Sequence, residues 1–160
     1  MIDLADPAMD EYLCGGRSLL ICTVDFEGRP HASRLFGLTI VEAASGLIRV
    51  LVPADDVVAL ANIRACRPIA VTATNVTNLH SLQCKGLGVS VEVLTTSDEA
   101  TQAVYTDAFL REVHVSTGYP MDVLLRSAGR TMMPCLVTFD SSFDQTPGPS
   151  AGLATDRGTP

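Results

Sequence analysis

The sequence predicts a mainly β fold: a small antiparallel barrel of six strands with helices at its periphery. Three observations predict it. Apolar runs of strand length recur along the chain, at 18–25 (SLLICTVD), 30–42, 47–52 (LIRVLV), 68–74 (PIAVTAT), 81–94 (SLQCKGLGVSVEVL) and 130–140 (RTMMPCLVTFD). The first three are joined by the short turns FEGR, with Gly28, and ASG (44–46), which makes them an antiparallel meander. Helical punctuation falls before or between the runs, so the helices decorate the sheet.

Each element has its own grounds. In ADPAMDEYLCGG, Asp6 caps a first helix, Pro7 suits its first position and Gly15–Gly16 end it. PADDVVALANIRACR (53–67) reads as a second helix, with Val57, Leu60, Ala61 and Arg64 at helical spacing. Asp55 and Asp56 fall in its first turn, where the helix dipole favours them. Gly86 and Gly88 are candidate bulge positions in the fifth strand. Thr96 and Glu99 match a capping box, and the helix they open runs to about residue 116 with Tyr105, Phe109 and Val113 on one stripe. YPMDVLLRSAG is a shorter helix, and Pro134 marks the sixth strand as an edge or a bulge. One domain, 1–143, is followed by a Pro/Gly-rich tail, 144–160, without periodicity. There is no internal repeat.

Composition narrows the function. A chain of 160 residues with 47% hydrophobic residues is long enough for one real core. Net charge is −7 and the eleven Lys and Arg are scattered, which excludes a generic nucleic-acid binder but leaves room for a local anion pocket. No apolar run reaches membrane-span length, and MIDLADPAMDEYL lacks the features of a signal peptide. Five cysteines without CxxC spacing fit a reduced protein, so a cytoplasmic location is expected. Zinc has no support: His31 and His114 are lone histidines, and His80 and Cys84 lie about 13 Å apart along a regular strand. G-x-S-x-G is absent, and GLGVSV runs on into a strand rather than a helix. Cys84 reads as a small buried hydrophobe, not an activated thiolate.

Polar residues stand out on two strands. Regular alternation along 30–40 puts Arg34 on the face of Ala32, Phe36, Leu38 and Ile40, opposite His31, Ser33, Leu35, Gly37 and Thr39. A guanidinium on the more apolar face needs a partner. The odd face of the fifth strand runs Ser81, Gln83, Lys85 and then Leu87, Val89, Val91, Val93. That pattern fits a strand entering the core with one end near a polar pocket. Its alternatives are a polar end projecting past the rim into water and a bulge at Gly86 that swaps the faces.

GRPHASRLFGLTI (28–40), NIRACRPIAVTAT (62–74), SLQCKG (81–86) and FDQTPGPSAG (143–152), in that order, resemble the pyridoxamine 5'-phosphate oxidase-like family, the FMN-binding split barrels. The resemblance spans roughly residues 17 to 152 and is strongest to bacterial members without an assigned reaction. It implies a six-stranded antiparallel split barrel, a homodimer, and FMN in clefts between two barrels. It also implies that Arg34 matches the arginine that contacts the FMN phosphate, and that QTPGPSAG lies along the partner subunit. Where the oxidases carry a phosphate-gripping Ser-Arg-Lys run, this chain has Val57, Val58 and Ala59, preceded by Asp55 and Asp56. Thr39 replaces a lysine that follows the second-strand arginine. Arg64, Arg67 and Lys85 are the available substitutes, and Ser81 and Gln83 fall where the oxidases have Gln and Arg. The expected cofactor-binding set is therefore Arg34, Ser81, Gln83, Lys85, Arg64 and Arg67. Two functions follow: an FMN-dependent oxidoreductase acting on an unidentified small molecule, or a split-barrel protein that binds haem or another anionic ligand without oxidase activity.

Overall fold

The segment 30–42 begins on one edge of the sheet and ends on the other. The computed structural model, which describes residues 4–126 and 129–155, divides it into β2 (Pro30–Arg34) and β3 (Leu38–Glu42). β2 pairs with β1 (Ser18–Val24), and β3 pairs with β4 (Leu47–Pro53). The remaining strands are β5 (Pro68–Thr74), β6 (Ser81–Val91) and β7 (Met132–Asp144), and every pairing is antiparallel in the order β2-β1-β5-β6-β7-β4-β3. The two edge strands are thus consecutive pieces of one run, and the sheet curls until they meet.

Closure is made by three residues. Leu35 N–H donates to the Leu19 carbonyl, Phe36 N–H to the Leu51 carbonyl and Leu51 N–H to the Gly37 carbonyl, each at 3.0 Å. Gly37 sits at φ +153°, where a Cβ would meet the Leu51 side chain at 3.0 Å. The barrel therefore has seven strands where six are expected, because the crossing at Leu35–Gly37 interrupts the second. The same break overturns the expected alternation. Leu35, Gly37 and Leu38 are buried while Arg34 is exposed, so Arg34 does not share the core-facing side of Leu38.

The core is the inner face of this curled sheet. Leu19 and Ile21 of β1, Val71 and Ala73 of β5, Val50 of β4 and Val137 of β7 are essentially inaccessible. α2 (Val57–Arg64) plugs it with Leu60 and Ile63, and Asn62 donates to the buried Thr23 hydroxyl at 2.9 Å. Each fully buried aliphatic side chain contributes roughly 1.5–3 kcal/mol.

β6 carries the bulges its glycines predict. Its register against β7 shifts at Lys85/Gly86 and again at Gly88/Ser90. A Cβ at Gly86 would lie 1.7 Å from the Thr138 carbonyl oxygen, and one at Gly88 would lie 2.6 Å from that of Ile63. Pairing with β5 stays regular across Gly86, so the odd residues from Gln83 to Val89 all face outward. The expectation that this face enters the core is thus corrected. Ser81 is buried by local hydrogen bonding, with the Thr74 hydroxyl 3.0 Å from its own and the Thr146 hydroxyl accepting its N–H at 3.1 Å.

Pro134 is not on an edge strand, since β7 lies between β6 and β4. Opposite it, Leu51 spends its N–H on Gly37, and past the end of β6 Glu92 N–H donates to the Pro134 carbonyl at 2.7 Å. The missing proline N–H costs no ladder bond there.

The helices start where a side chain caps them. Asp6 accepts Ala8 N–H at 2.9 Å ahead of α1 (Pro7–Cys14). Asp56 is the N-cap of α2 rather than part of its first turn, accepting Ala59 N–H at 3.0 Å. α3 (Thr96–Thr117) has its capping box one residue earlier than expected, at Thr95 and Asp98, and ends at Gly118 with φ +73°. α4 is the short helix Met121–Leu125. Residues 145–155 turn back on their own chain: Gln145 N–H donates to the Ser81 carbonyl at 2.8 Å and Thr155 N–H to that of Ser142 at 3.0 Å. Among the described residues no helix is long and apolar enough to cross a membrane.

Candidate functional site

The link after β2 touches β4 at Phe36–Leu51, and the chains separate on either side of the crossing. In the gap between β2 and the β4–α2 junction lies a cavity of about 640 Å³. β2 gives it His31, Ala32, Ser33 and Arg34; the junction gives Pro53, Asp55, Asp56, Val57 and Val58; α3 gives Tyr105, Thr106, Phe109 and Leu110; Phe36 and Arg130 complete it. The β2 backbone is itself a wall. Leu35 and its odd-numbered neighbours bond to β1, so antiparallel alternation turns the N–H groups of Ala32 and Arg34 toward the gap.

Arg34 is the cation of this cavity that the aromatic residues hold. Its guanidinium carbon is 4.6 Å from the Phe109 ring centroid and 5.8 Å from that of Phe36. Tyr105 stacks on Phe109, with centroids 5.9 Å apart, and donates its hydroxyl proton to the Arg17 carbonyl at 2.8 Å. Burial pushes the Tyr105 phenol up, and the charge of Arg34 pulls it partly back. Arg34 makes no ion pair, and no carboxylate partner for it occurs, among the described residues.

The opposite wall is acidic. Asp56 accepts from His31 Nε2, with contacts of 2.8 and 3.0 Å, while it caps α2. Burial alone would push its carboxyl up, but hydrogen bonds from Ser33, Ala59 N–H and His31 outweigh that and hold it below the usual range. Asp55 beside it is exposed, and Val57 and Val58 follow with 69% and 45% of their surface exposed. The Thr106 hydroxyl is buried with no hydrogen-bond partner among the described residues.

The other expected site residues lie elsewhere on the same sheet. The register Arg34–Leu20–Thr72–Gln83–Phe143 puts Arg34 and Gln83 in one row of the outer face. Three strand spacings, about 14 Å, separate them. Gln83 donates to the Thr72 hydroxyl at 3.2 Å, and Lys85 Nζ stands 4.3 Å over the Phe143 ring. Arg67 donates to the Asp25 carbonyl at 3.1 Å and covers Phe26, and Arg64 is exposed in the last turn of α2. Ser81, Gln83, Lys85, Arg64 and Arg67 do not line the Arg34 cavity, so a single chain does not assemble the expected set. Burial pushes the Cys84 thiol up to about 12, which keeps it protonated. No cluster of metal-ligating side chains occurs among the described residues.

Four contributors escape sequence reasoning: His31, Thr106, Phe109 as a cation platform, and Arg130. Only Phe109 carried a signal, its place on the apolar stripe of α3.

No protein-family model and no curated protein matches the sequence. Solved structures do. HupZ of Group A Streptococcus superposes with a TM-score of 0.54 at 14% identity, over 95% of this chain and 100% of that one. A single-residue variant of HupZ gives 0.52 at 12% identity, over 86% and 97%. At these identities the likeness is one of fold alone: the chain shares the antiparallel barrel of HupZ. A Clostridium acetobutylicum protein related to general stress protein 26 of B. subtilis, of the pyridoxinephosphate oxidase family, gives 0.48 at 10% identity over 86% and 84%.

The resemblance in the sequence implies FMN, and the residues test it. Arg34 and the free N–H groups of β2 suit one anionic group. The start of α2 does not suit a phosphate: its N–H at Ala59 is taken by Asp56, a second carboxylate stands beside it, and Val57 and Val58 offer no side-chain donor. The FMN phosphate cradle is not fitted by the residues present.

Proposed function

We propose that the protein is a homodimeric, cytoplasmic split-barrel protein that binds a flat anionic small molecule in the Arg34 cavity without oxidase chemistry. The observation that carries the reading is Arg34 itself. It is an arginine without a carboxylate partner among the described residues, held over an aromatic ring at the wall of a 640 Å³ cavity. An anion with an apolar body satisfies both the guanidinium and the walls around it. Haem, with its flat ring and carboxylates, belongs to this ligand class. A second reading, an FMN-dependent oxidoreductase acting on a small molecule, is favoured by the place of Arg34 in GRPHASRLFGLTI and by the fold.

The visible spectrum of the purified protein, followed by titration with FMN and with haem, separates the two. Flavin bands, or FMN binding in the micromolar range, favour the oxidoreductase. Binding of haem with FMN ignored favours the first reading. If Arg34→Ala folds and binds the accepted ligand as tightly as wild type, the assignment of the cavity is wrong.

A further inference from the structure

We infer that the Arg34 cavity selects a carboxylate group over a phosphate ester, because the chain's own carboxylate, Asp56, already occupies the N-terminus of the helix at its wall. The inference rests on the ligand-binding reading above.

A helix N-terminus ordinarily offers unpaired N–H groups and a partial positive charge to an anion. At α2 that place is taken. Asp56 occupies it, accepting Ala59 N–H at 3.0 Å, and His31 fixes the carboxylate from the other side at 2.8 Å. The plug is held from β2, α2 and the cavity wall at once, so a ligand does not displace it cheaply. Asp55, exposed on the same wall, adds a second negative charge. The second charge of a phosphate meets this pair at the protein surface, where Coulomb energies are several times those in bulk water.

The other end of the cavity has the complementary preference. A guanidinium presents its N–H donors in its own plane, in a fork that matches a carboxylate. With one face of Arg34 over Phe109, the in-plane donors that Tyr105 does not engage remain for a ligand. Phe36, Val57 and Val58 line the cavity with apolar surface for a flat hydrocarbon or heteroaromatic body. Arg34, the cation seated against the rings, suits one carboxylate group, and the lining's other cation, Arg130, is exposed. The carboxylates of Asp55 and Asp56 across from Arg34 penalise a second charge on the same group.

The test uses a matched pair of probes, naphthalene-2-carboxylate and 2-naphthyl phosphate, titrated calorimetrically into the full chain at about pH 8, where the phosphate is a dianion. Wild type should bind the carboxylate at least about tenfold more tightly than the phosphate, the size of a one-charge penalty at a partly buried site. Arg34→Ala should weaken the carboxylate by about tenfold or more. The double variant Asp55→Asn, Asp56→Asn keeps an N-cap side chain at position 56. It should shift the phosphate-to-carboxylate affinity ratio about tenfold toward phosphate. Asp55→Asn alone, at an exposed position outside the cap, should shift it in the same direction by a smaller factor and covers the case in which the double variant misfolds. Phosphate bound as tightly as carboxylate by wild type, or a ratio unmoved in the folded variants, overturns the inference and leaves the binding reading standing. If wild type binds neither probe at millimolar concentration, the binding reading fails and this inference fails with it.

Discussion

Arg34 shows how one residue can be legible in type and illegible in placement. The sequence makes it conspicuous, an arginine in an apolar strand inside a recognisable motif. It does not reveal which way the side chain points, because the crossing at Leu35–Gly37 breaks the two-residue period used to assign the face. His31 was further out of reach. Its partner Asp56 is 25 positions away, and nothing local announces the pair. Since Arg34 is exposed and held mainly by its aromatic neighbours, Arg34→Ala should cost the fold no more than about 1 kcal/mol. The same substitution should remove a charge-assisted pair to the ligand worth roughly 1.5–3 kcal/mol, about a 10- to 150-fold loss of affinity. Arg34→Lys should restore only part of it, because a point charge does not reproduce the fork. A melting curve beside a titration with the accepted ligand measures both. A large melting shift with unchanged affinity would make the arginine structural.

At the scale of elements, what was legible was punctuation. Gly86 and Gly88 predicted their bulges because only glycine tolerates a carbonyl oxygen so close to the Cβ position. Gly86→Ala should therefore destabilise by about 3 kcal/mol or more, since backbone rather than a flexible side chain must move. Urea unfolding measures it, and a change under about 1 kcal/mol would contradict the close approach. The α3 cap was misplaced by one residue because Thr95-Thr96 and Asp98-Glu99 allow two overlapping boxes. Tertiary structure chooses between them: Asp98 also receives Arg49 in two bonds, from Nε at 2.6 Å and Nη2 at 2.9 Å. Those bonds from Arg49 hold the Asp98 carboxyl down at about 2, well below the usual carboxylate range. Its folded pKa lies below its unfolded one. The pair's contribution is therefore present above about pH 4 and lost as pH falls toward 2. Allowing for solvent screening it amounts to about 1 kcal/mol. Asp98→Asn should lower the melting temperature at neutral pH and flatten the loss of stability between pH 4 and 2; an unchanged acid slope would show that Asp98 does not carry that sensitivity.

For the whole molecule, the barrel's closure at Leu35–Gly37 was not legible, because it depends on where two distant edges meet. The outer face of the same sheet was half visible, in the odd residues of β6. Leu20 is 43% exposed, Leu87 47% and Val89 41%, and Cys22 and Ala32 lie exposed among them. These residues form an apolar band with Arg34 at one border and Gln83 and Lys85 toward the other. A monomer would leave that band in water. We propose that a second copy covers it about a two-fold axis, which makes the interface self-complementary. Such an axis reverses the row Arg34–Leu20–Thr72–Gln83 on the partner. Arg34 and Gln83, which one chain keeps about 14 Å apart, can then approach across the interface. An interface of the ordinary size would cover about 800 Å² on each chain. Sedimentation at micromolar concentration should give twice the 16.9 kDa chain mass. Leu20→Lys with Leu87→Lys places like charges in the middle of the band and should yield a folded monomer. A wild-type monomer at that concentration, or a double variant that still sediments as a dimer, would place the interface elsewhere or remove it.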